Sequence, residues 1–545
     1  MIIKSHFAKN TAVLSLLKKD DEKKYYCCKI NGRIRELTYV FDNDCDATVE
    51  FLDLTSADAC RIYEASVRYL TALAIKTILP KADVRFFYNI SRSVFCRVAT
   101  KKAFKVNTHF VQEVEDKMKQ LVKEDIPLRK IKVSKEDALA KYHEEGFHDK
   151  IQVLKYRSEN FVHLYEAKKN SIDYFDYLYG FLVPSTGFLT KFNCRYYNPG
   201  FLIQLPRAEC HGEIPPFDDE MKFAITLAST SKWAEENNLD TVFNINKFVK
   251  TYGEMALINV SEARINNMLA SLGEDITSRD SIVRLICIAG PSSSGKTSFA
   301  NRLLYELMSR GLRPIRISVD NFYIPKDVLK EGTDLESIDA IDIPFFNEIM
   351  TNLIQGEAVA LPVYDFKNGI RSFGKPIQVE ENQPIIIEGI HALNPKLTPS
   401  IPEAQKYKIY IAPQPQVNID NHTPVSMTDM RLLRRIARDS RTRGSDATET
   451  INMWPNVRSG EFKYIYPTQE NADFVFDSFF PYEPCALRNI VLPLLDKVRP
   501  DQKEYLTASR LKQMVKYFLP IPTNNIPCNS LMREFVGGSS FKDAR

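Results

Sequence analysis

The residues best suited to chemistry lie in one short stretch, Gly290-Pro-Ser-Ser-Ser-Gly-Lys-Thr297. It follows the apolar run 285–289 and precedes residues 298–308, whose apolar side chains recur at helical spacing. A glycine-rich turn between a strand and a helix presents backbone N–H groups to phosphate oxygens, and the helix N-terminus adds a partial positive charge. We therefore expect this loop to bind a nucleoside triphosphate, with a chance Gly/Ser loop as the alternative.

Each residue of the loop has an expected role. Lys296 would reach the β- and γ-phosphate oxygens, and the Thr297 hydroxyl would ligate Mg²⁺. The residues expected to wrap the triphosphate are Gly290, Ser292, Ser293, Ser294 and Gly295.

Two acidic residues follow short apolar runs in the second half of the chain. The runs 283–289, 314–319, 384–388, 407–412 and 472–476 alternate with helical patterns, which predicts a parallel sheet with helices on both faces. Ligands gather at the C-terminal ends of such strands. Asp320 would accept a proton from an attacking hydroxyl or hold a Mg²⁺ water, unless it caps a helix. Glu388 would bind Mg²⁺ directly or through water, unless its role is structural.

An arginine cluster lies further along the chain, between the fourth and fifth predicted strands. Arg431, Arg435 and Arg438 have the i, i+4, i+7 spacing of one helical face. Guanidinium groups above a triphosphate would neutralise developing charge and exclude water. Plain surface charge and a nucleic-acid patch are the alternatives. The cluster consists of Arg431, Arg434, Arg435, Arg438, Arg441 and Arg443.

The first half of the chain has a different pattern. Residues 1–55 are β-rich, and Asn31-Gly32 between two apolar runs predicts a tight hairpin. A long amphipathic helix over 57–79, strands at 83–90 and 94–99, and helices at 112–122 and after Ser134 follow. Further helices are predicted over 218–237 and 241–268, with a break at Gly253. The polar stretch 272–280 is expected to join this half to the next.

The length, composition and net charge of the chain limit the class of protein. A chain of 545 residues is too long for one core, and its 44% hydrophobic and 26% charged residues are ordinary for a globular protein. A net charge of +4 gives no argument for a nucleic-acid partner. The scattered cysteines indicate reduced thiols in the cytoplasm, and no apolar run approaches the ~18 residues of a membrane span.

The second half resembles the uridine kinase / phosphoribulokinase group of P-loop kinases. The matching motifs are Gly290–Thr297, Asp320-Asn-Phe-Tyr323, Asp339-Ala-Ile-Asp342, Leu361-Pro-Val-Tyr-Asp-Phe366, Glu388-Gly-Ile390, Arg434-Arg-Ile-Ala-Arg-Asp439 and Arg443-Gly444. The resemblance implies transfer of the ATP γ-phosphate to a primary sugar hydroxyl.

The resemblance also implies roles for single residues. Asp320 would be the general base, and Thr297 and Glu388 would serve Mg²⁺. Arg435, Arg438 and Arg443 would form a lid and phosphate clamp. Glu336, Asp339 and Tyr364 would line the nucleoside pocket together with Arg435.

Two departures from the family pattern fall in the acceptor pocket. Glu336 stands where the family has the Asp that grips the ribose, and Gly369 stands where it has the His that reads the base. Recognition of uracil is therefore open, and the alternative acceptor is another metabolite such as a sugar phosphate. An ATP-dependent nucleoside kinase is the leading interpretation.

The first half resembles the front of bacterial threonyl-tRNA synthetases, a β-grasp TGS unit followed by the second additional domain. Ala65 and Tyr69 stand at the positions matched to the metal-binding histidines of the editing family, so editing chemistry looks lost. The whole chain resembles long bacterial uridine-kinase-like nucleoside kinases. The implied domains are 1–55, 56–275 and 282–510, followed by a C-terminal tail over 511–545. An RNA-binding regulatory ATPase is the alternative from another class, and self-association is left open.

Overall fold

The computed structural model describes residues 1–100, 104–155, 157, 159–177, 180–279, 282–330, 332–365 and 368–542. Its N-terminal part is an antiparallel sheet in which the strands pair in the order β1-β4-β2-β3. Asn31 and Gly32 have φ angles of 49° and 77°, as a tight primed turn requires, which confirms the predicted hairpin. The strands are β1 (Ile2–Phe7), β2 (Cys27–Ile30), β3 (Arg33–Arg35) and β4 (Cys45–Leu52).

A second region follows, built around the long helix α1. Most side chains of α1 are buried, so this helix forms the shared core of the first 200 residues. Two further sheets pair in the orders β10-β11-β6-β5 and β7-β8-β9. The elements are α1 (Ala57–Ile78), β5 (Asp83–Ile90), β6 (Ser93–Ala99), α2 (Thr108–Glu124), β7 (Leu128–Ser134), α3 (Lys135–Glu145), α4 (His148–Lys155), β8 (Phe161–Lys169), β9 (Ile172–Asp176), β10 (Asn193–Tyr197) and β11 (Gly200–Gln204).

Three helices connect this region to the parallel sheet: α5 (Met221–Glu236), α6 (Val242–Tyr252) and α7 (Glu254–Thr277). Gly253 has a φ of 84° and separates α6 from α7, as predicted. The predicted joint over 272–280 is wrong for its first part, because α7 continues to Thr277. Leu272 and Ile276 of α7 are buried against the core of the second half, so the helix is a packed connection between the two halves.

The second half is the predicted α/β fold. Its central sheet has five parallel strands in the order β13-β16-β12-β17-β20, with helices on both faces, and the pairs β14–β15 and β18–β19 form separate antiparallel hairpins. The elements are β12 (Leu285–Ala289), α8 (Lys296–Ser309), β13 (Ile315–Ser318), α9 (Ile343–Ile354), β14 (Val359–Asp365), β15 (Ile370–Ile377), β16 (Ile385–Glu388), β17 (Lys406–Ala412), β18 (Asn418–Asp420), β19 (Thr423–Pro424), α10 (Met427–Thr442), α11 (Ala447–Gly460), β20 (Phe474–Asp477), α12 (Glu483–Leu495), α13 (Tyr505–Val515) and α14 (Arg533–Val536).

The segment predicted as a tail over 511–545 is packed into this half where the structure describes it. Leu531, Met532 and Phe535 belong to the same buried core as Phe299 of α8. Among the described residues, no helix is long and apolar enough to cross a membrane.

Candidate active site

The phosphate-binding loop connects β12 to α8 and curls back on itself. Ser293 and Gly295 have φ angles of 61° and 91°, and this left-handed backbone turns successive N–H groups inward. A Cβ on Gly290 would lie 2.0 Å from the carbonyl oxygen of Ile411, so only glycine fits there. Lys296 donates from Nζ to the carbonyl oxygens of Gly290 (2.8 Å) and Pro291 (3.3 Å), which holds its amine at the mouth of the loop.

Two carboxylates lie beside Lys296 at the ends of neighbouring strands. Glu388 ends β16 and pairs in register with Ser318, the last residue of β13, and Asp320 follows two residues later. Surrounding protein raises the pKa of Asp320, although water reaches its side chain in the open cleft, and Lys296 and Arg443 oppose this rise. Burial and the charge of Asp320 raise the pKa of Glu388, while Lys296 opposes it.

Burial lowers the pKa of Lys296, and the charges of Glu388 and Asp320 oppose this lowering. Asp320 raises the pKa of Glu388, so the two carboxylates are close together, and carboxylate oxygens are the ligands that a hard cation prefers. Thr297, which also has a hydroxyl oxygen to offer, follows Lys296 in the first turn of α8. The residues present therefore fit Mg²⁺ bound with phosphate oxygens.

Glu336 and Tyr364 are two of the residues predicted to line the acceptor pocket. Partial burial and the charges of Asp320 and Asp334 raise the pKa of Glu336, while Arg435 and Lys296 lower it. Glu336 is thus close enough to Asp320 and Lys296 for their charges to shift its pKa, and its side chain is exposed to solvent. Tyr364 lies on β14 of the β14–β15 hairpin. The centroid of its ring is 5.7 Å from that of the Tyr323 ring.

Asp339 and Gly369, both named in the sequence analysis, have local contacts in the structure. Asp339 accepts a hydrogen bond from the Ser337 hydroxyl (3.0 Å) within its own loop. Gly369 has a φ of 70°, and a Cβ there would lie 2.6 Å from the Cβ of Lys326. Backbone geometry therefore excludes a base-reading side chain at 369. The neighbouring Phe366, the end of one predicted motif, lies outside the described residues.

The arginine cluster divides into two groups. Arg431 and Arg434 on α10 have no exposed surface, so the surface-charge alternative is wrong for them. Arg431 pairs with Glu461 and donates from Nε to the carbonyl oxygen of Ser292 (2.9 Å). Arg434 forms a two-pronged pair with Glu483, with both distances 2.6 Å. These two arginines support the loop from behind.

Arg435, Arg438 and Arg443 contact Ser292 or Asp439, and Arg441 donates to the carbonyl oxygen of Glu534 (2.8 Å). Arg435 donates from Nη1 to the Ser292 hydroxyl (2.9 Å), which joins α10 to the loop. Arg438 donates from Nε to Asp439 (2.8 Å). Arg443 lies 3.6 Å from Asp439, and its side chain is 57% exposed, so it has room to swing over a bound nucleotide.

Several residues at the site escaped the sequence prediction. His391 is 1% exposed and donates from Nε2 to the carbonyl oxygen of Glu336 (2.9 Å), and its Nδ1 has no partner within the described part of the chain. Glu534 accepts from the hydroxyl of Ser298 at 2.9 Å, in the first turn of α8. The only signal in the sequence for His391 was its position close after Glu388. No spacing rule points to Glu534.

A glycine-rich loop between a parallel strand and a helix, two strand-end carboxylates and an arginine-bearing helix define a P-loop domain that handles nucleoside triphosphates. Comparison with known proteins agrees. The family model "Phosphoribulokinase / Uridine kinase family" matches residues 285–481. The chain belongs to this family through its second half.

Individual relatives agree with the family model. The uridine kinase of Staphylococcus haemolyticus is 32% identical over 196 residues, which are 35% of this chain and 86% of that protein. The uridine kinase of Saccharomyces cerevisiae is 29% identical over 229 residues, which cover 41% of this chain but only 42% of the yeast protein. The solved structure of a possible uridine kinase from Bacillus stearothermophilus is 17% identical, with a TM-score of 0.28, and covers 39% of this chain and all of that one.

Proposed function

We propose that this protein is an ATP-dependent kinase that transfers the γ-phosphate to the 5′-hydroxyl of uridine or a related nucleoside. The observation that carries the proposal is the convergence of Lys296, Asp320 and Glu388 at the mouth of the loop, where the charge of Lys296 acts on both carboxylates and both act on Lys296. The uridine kinases among the relatives favour a nucleoside as the acceptor.

We assign proton transfer, metal binding and charge stabilisation to different residues of the site. Asp320 is placed to accept the proton of the attacking hydroxyl, because it lies in the open cleft and its raised pKa makes it a better base than an ordinary Asp. Thr297, Glu388 and Asp320 would hold Mg²⁺, which would neutralise charge on the phosphates. Lys296, Arg435, Arg438 and Arg443 would stabilise charge that develops on the transferred group.

The test is incubation of the whole protein with Mg·ATP and a panel of nucleosides, with product nucleoside monophosphates measured by chromatography. Lys296→Ala serves as the control, since it removes the amine that would bind the phosphates. We expect one or more nucleosides to be phosphorylated by the natural protein only. If no nucleoside is converted, or Lys296→Ala turns over equally well, the proposal is wrong.

A sugar phosphate is the second candidate acceptor. The observation that favours it is Gly369, where the backbone leaves no room for a residue that reads a base. The same assay with phosphorylated sugars in place of nucleosides separates the two candidates. A clear preference in kcat/KM for one class decides between them.

For the first half, we propose a relationship to the TGS unit and the second additional domain of threonyl-tRNA synthetases, without their editing chemistry. Ala65 and Tyr69 are buried in α1, and Tyr69 donates from its hydroxyl to the carbonyl oxygens of Tyr165 (3.1 Å) and Tyr174 (3.2 Å). A structural tyrosine of this kind replaces a metal ligand. RNA binding by this region remains the alternative, and a tRNA gel shift at physiological salt concentration would test it.

A further inference from the structure

A small hairpin lies directly before the arginine-bearing helix α10. It consists of β18 and β19 and spans residues 418–424. The backbone N–H of Val425 donates to the carbonyl oxygen of Val417 (2.9 Å), and Ser426 then caps α10. Only Val425 and Ser426 therefore separate the hairpin from the helix, and Val425 is hydrogen-bonded to Val417 while Ser426 is hydrogen-bonded to α10. A shift of the hairpin would move the start of α10.

The first half of the chain holds this hairpin from several sides. Its contacts come from α1, from β5 and from the turn before α6, three elements that are far apart in sequence. They are Phe86 N–H to Asn421 O (2.9 Å), Asn418 Nδ2 to Phe86 O (2.8 Å), Asn418 N–H to Asp240 O (2.9 Å) and Arg68 Nη1 to His422 O (3.0 Å).

A buried group of charges completes the attachment. Lys150 of α4 lies 2.9 Å from Asp176 at the end of β9 and 3.1 Å from Asp420 of the hairpin. His422 donates from Nδ1 to the other oxygen of Asp176 (2.5 Å). We call Lys150, Asp176, Asp420 and His422 the interdomain cluster. The side chains of Lys150 and Asp176 are each 1% exposed, so water cannot replace a lost partner.

The charged groups of the interdomain cluster stabilise one another in their ionised forms. Burial alone would raise the pKa of Asp176, but Lys150 and His422 hold it well below its usual range. Burial opposes the charge of Lys150, but Asp176 and Asp420 raise its pKa. Removal of one member would leave an uncompensated charge in the interior, which is far more costly than loss of a surface pair.

We propose that the first half of the chain positions the arginine helix α10 for phosphate transfer, and that the interdomain cluster fixes that position. Asp176, Lys150 and His422 are thus positioning residues that act through the hairpin. The helix has 16 residues and is about 24 Å long, so a displacement of its start is carried along its length. Arg435 depends on that position, because it reaches the Ser292 hydroxyl at 2.9 Å.

The effect on turnover rests on the proposed kinase activity, whereas the local stability of α10 can be measured without any activity. Hydrogen–deuterium exchange of the full chain reports the stability of α10 directly. Two cluster variants, Asp176→Asn and His422→Ala, would be compared with His422→Asn, which keeps a donor close to the Nδ1 position. Glu36→Gln is the matched control, because Glu36 accepts from the buried Tyr165 hydroxyl (2.7 Å) in the same half but does not contact the hairpin.

We expect Asp176→Asn and His422→Ala to raise amide exchange in 427–442 roughly tenfold while β1–β4 keep their protection. Since misplacement of catalytic groups by about 1 Å can cost roughly 100-fold, kcat should fall 10- to 100-fold. The affinity for Mg·ATP should change less than kcat. His422→Asn should recover most of both effects, and Glu36→Gln should leave α10 unchanged.

The outcomes separate this inference from the proposed function. Faster exchange in α10 without phosphorylation of any acceptor supports the inference and refutes the kinase proposal. Unchanged exchange in α10 for both cluster variants, or equal loss of protection throughout the first half, overturns the inference. If both cluster variants fail to fold, Arg68→Ala, which removes the hydrogen bond to the His422 carbonyl and leaves the four cluster residues in place, must raise exchange in 427–442, and no change there also overturns it.

Discussion

Replacement of Arg434 by methionine should destabilise the second half of the protein more than a typical single substitution. Neither Arg434 nor Glu483 has any exposed surface, and the pair is joined by two hydrogen bonds of 2.6 Å. Arg434 also donates to the carbonyl oxygens of Ser478 (2.7 Å) and of Ser293 and Ser294 (both 3.3 Å). Methionine fills a similar volume but supplies none of these hydrogen bonds.

The expected loss follows from what remains behind. Glu483 would stay buried without a partner, and removal of one member of a buried pair costs about 3–5 kcal/mol. Burial already raises the pKa of Glu483 and Arg434 opposes that rise, so part of the cost would be met by protonation. The double variant Arg434→Met, Glu483→Leu leaves no buried charge. We expect it to be more stable than Arg434→Met alone by at least about 2 kcal/mol.

Urea unfolding followed by tryptophan fluorescence provides the measurement, because Trp454 lies in α11 with the Arg431 guanidinium 5.3 Å from its ring centroid. Affinity for Mg·ATP should fall in Arg434→Met as well, since the loop carbonyls lose their donor. A loss of free energy of unfolding below about 1 kcal/mol would refute the reasoning. So would a double variant whose loss equals the sum of the two single losses, because the two sites would then be independent.

Three further outcomes are expected. Asp320→Asn should lower kcat roughly 10²- to 10⁴-fold with little change in ATP affinity, and unchanged turnover would remove Asp320 as the base. Burial raises the folded-state pKa of Glu220 from 4.5 to about 7, so the folded state retains a proton that the unfolded state has lost. The free energy of unfolding should therefore fall as pH rises from 4.5 to 7, by at most roughly 3 kcal/mol, and Glu220→Gln should flatten this slope in urea titrations. Gly369→Ala should lower thermal stability more than Gly311→Ala, because both have positive φ but only residue 369 would meet Lys326; equal losses would mean that the clash is relieved.

Local patterns explain what could be predicted from the sequence. The phosphate-binding loop and the strand-end residues Asp320 and Glu388 follow from a turn and a few apolar residues on either side. The hairpin at Asn31-Gly32 and the helix break at Gly253 follow from single residues whose backbone freedom is needed. Such features depend on neighbours within one turn or strand, so a sequence pattern contains the whole reason for them.

Long-range pairing explains what was missed. Glu461 and Glu483 lie 30 and 49 residues beyond the arginines that they neutralise, and no periodicity joins the partners. The polar residues after Leu272 suggested a joint between the halves, yet α7 continues through Thr277, and its Leu272 and Ile276 are buried at i, i+4 spacing while Glu274 and Asp275 are exposed. The role of the packed segment after 511 depended on tertiary contacts that composition does not indicate.

The contact between Ser298 and Glu534 has a consequence for synthesis of the chain. The two residues are 236 positions apart, and one forms the first turn after the phosphate-binding loop. At about 5–20 residues per second, a ribosome needs roughly 10–50 s to add the second residue after the first. Throughout that interval, a nascent chain presents a loop that lacks its last neighbour. The complete support of the nucleotide site is therefore acquired late in translation, after the rest of the parallel sheet has been made.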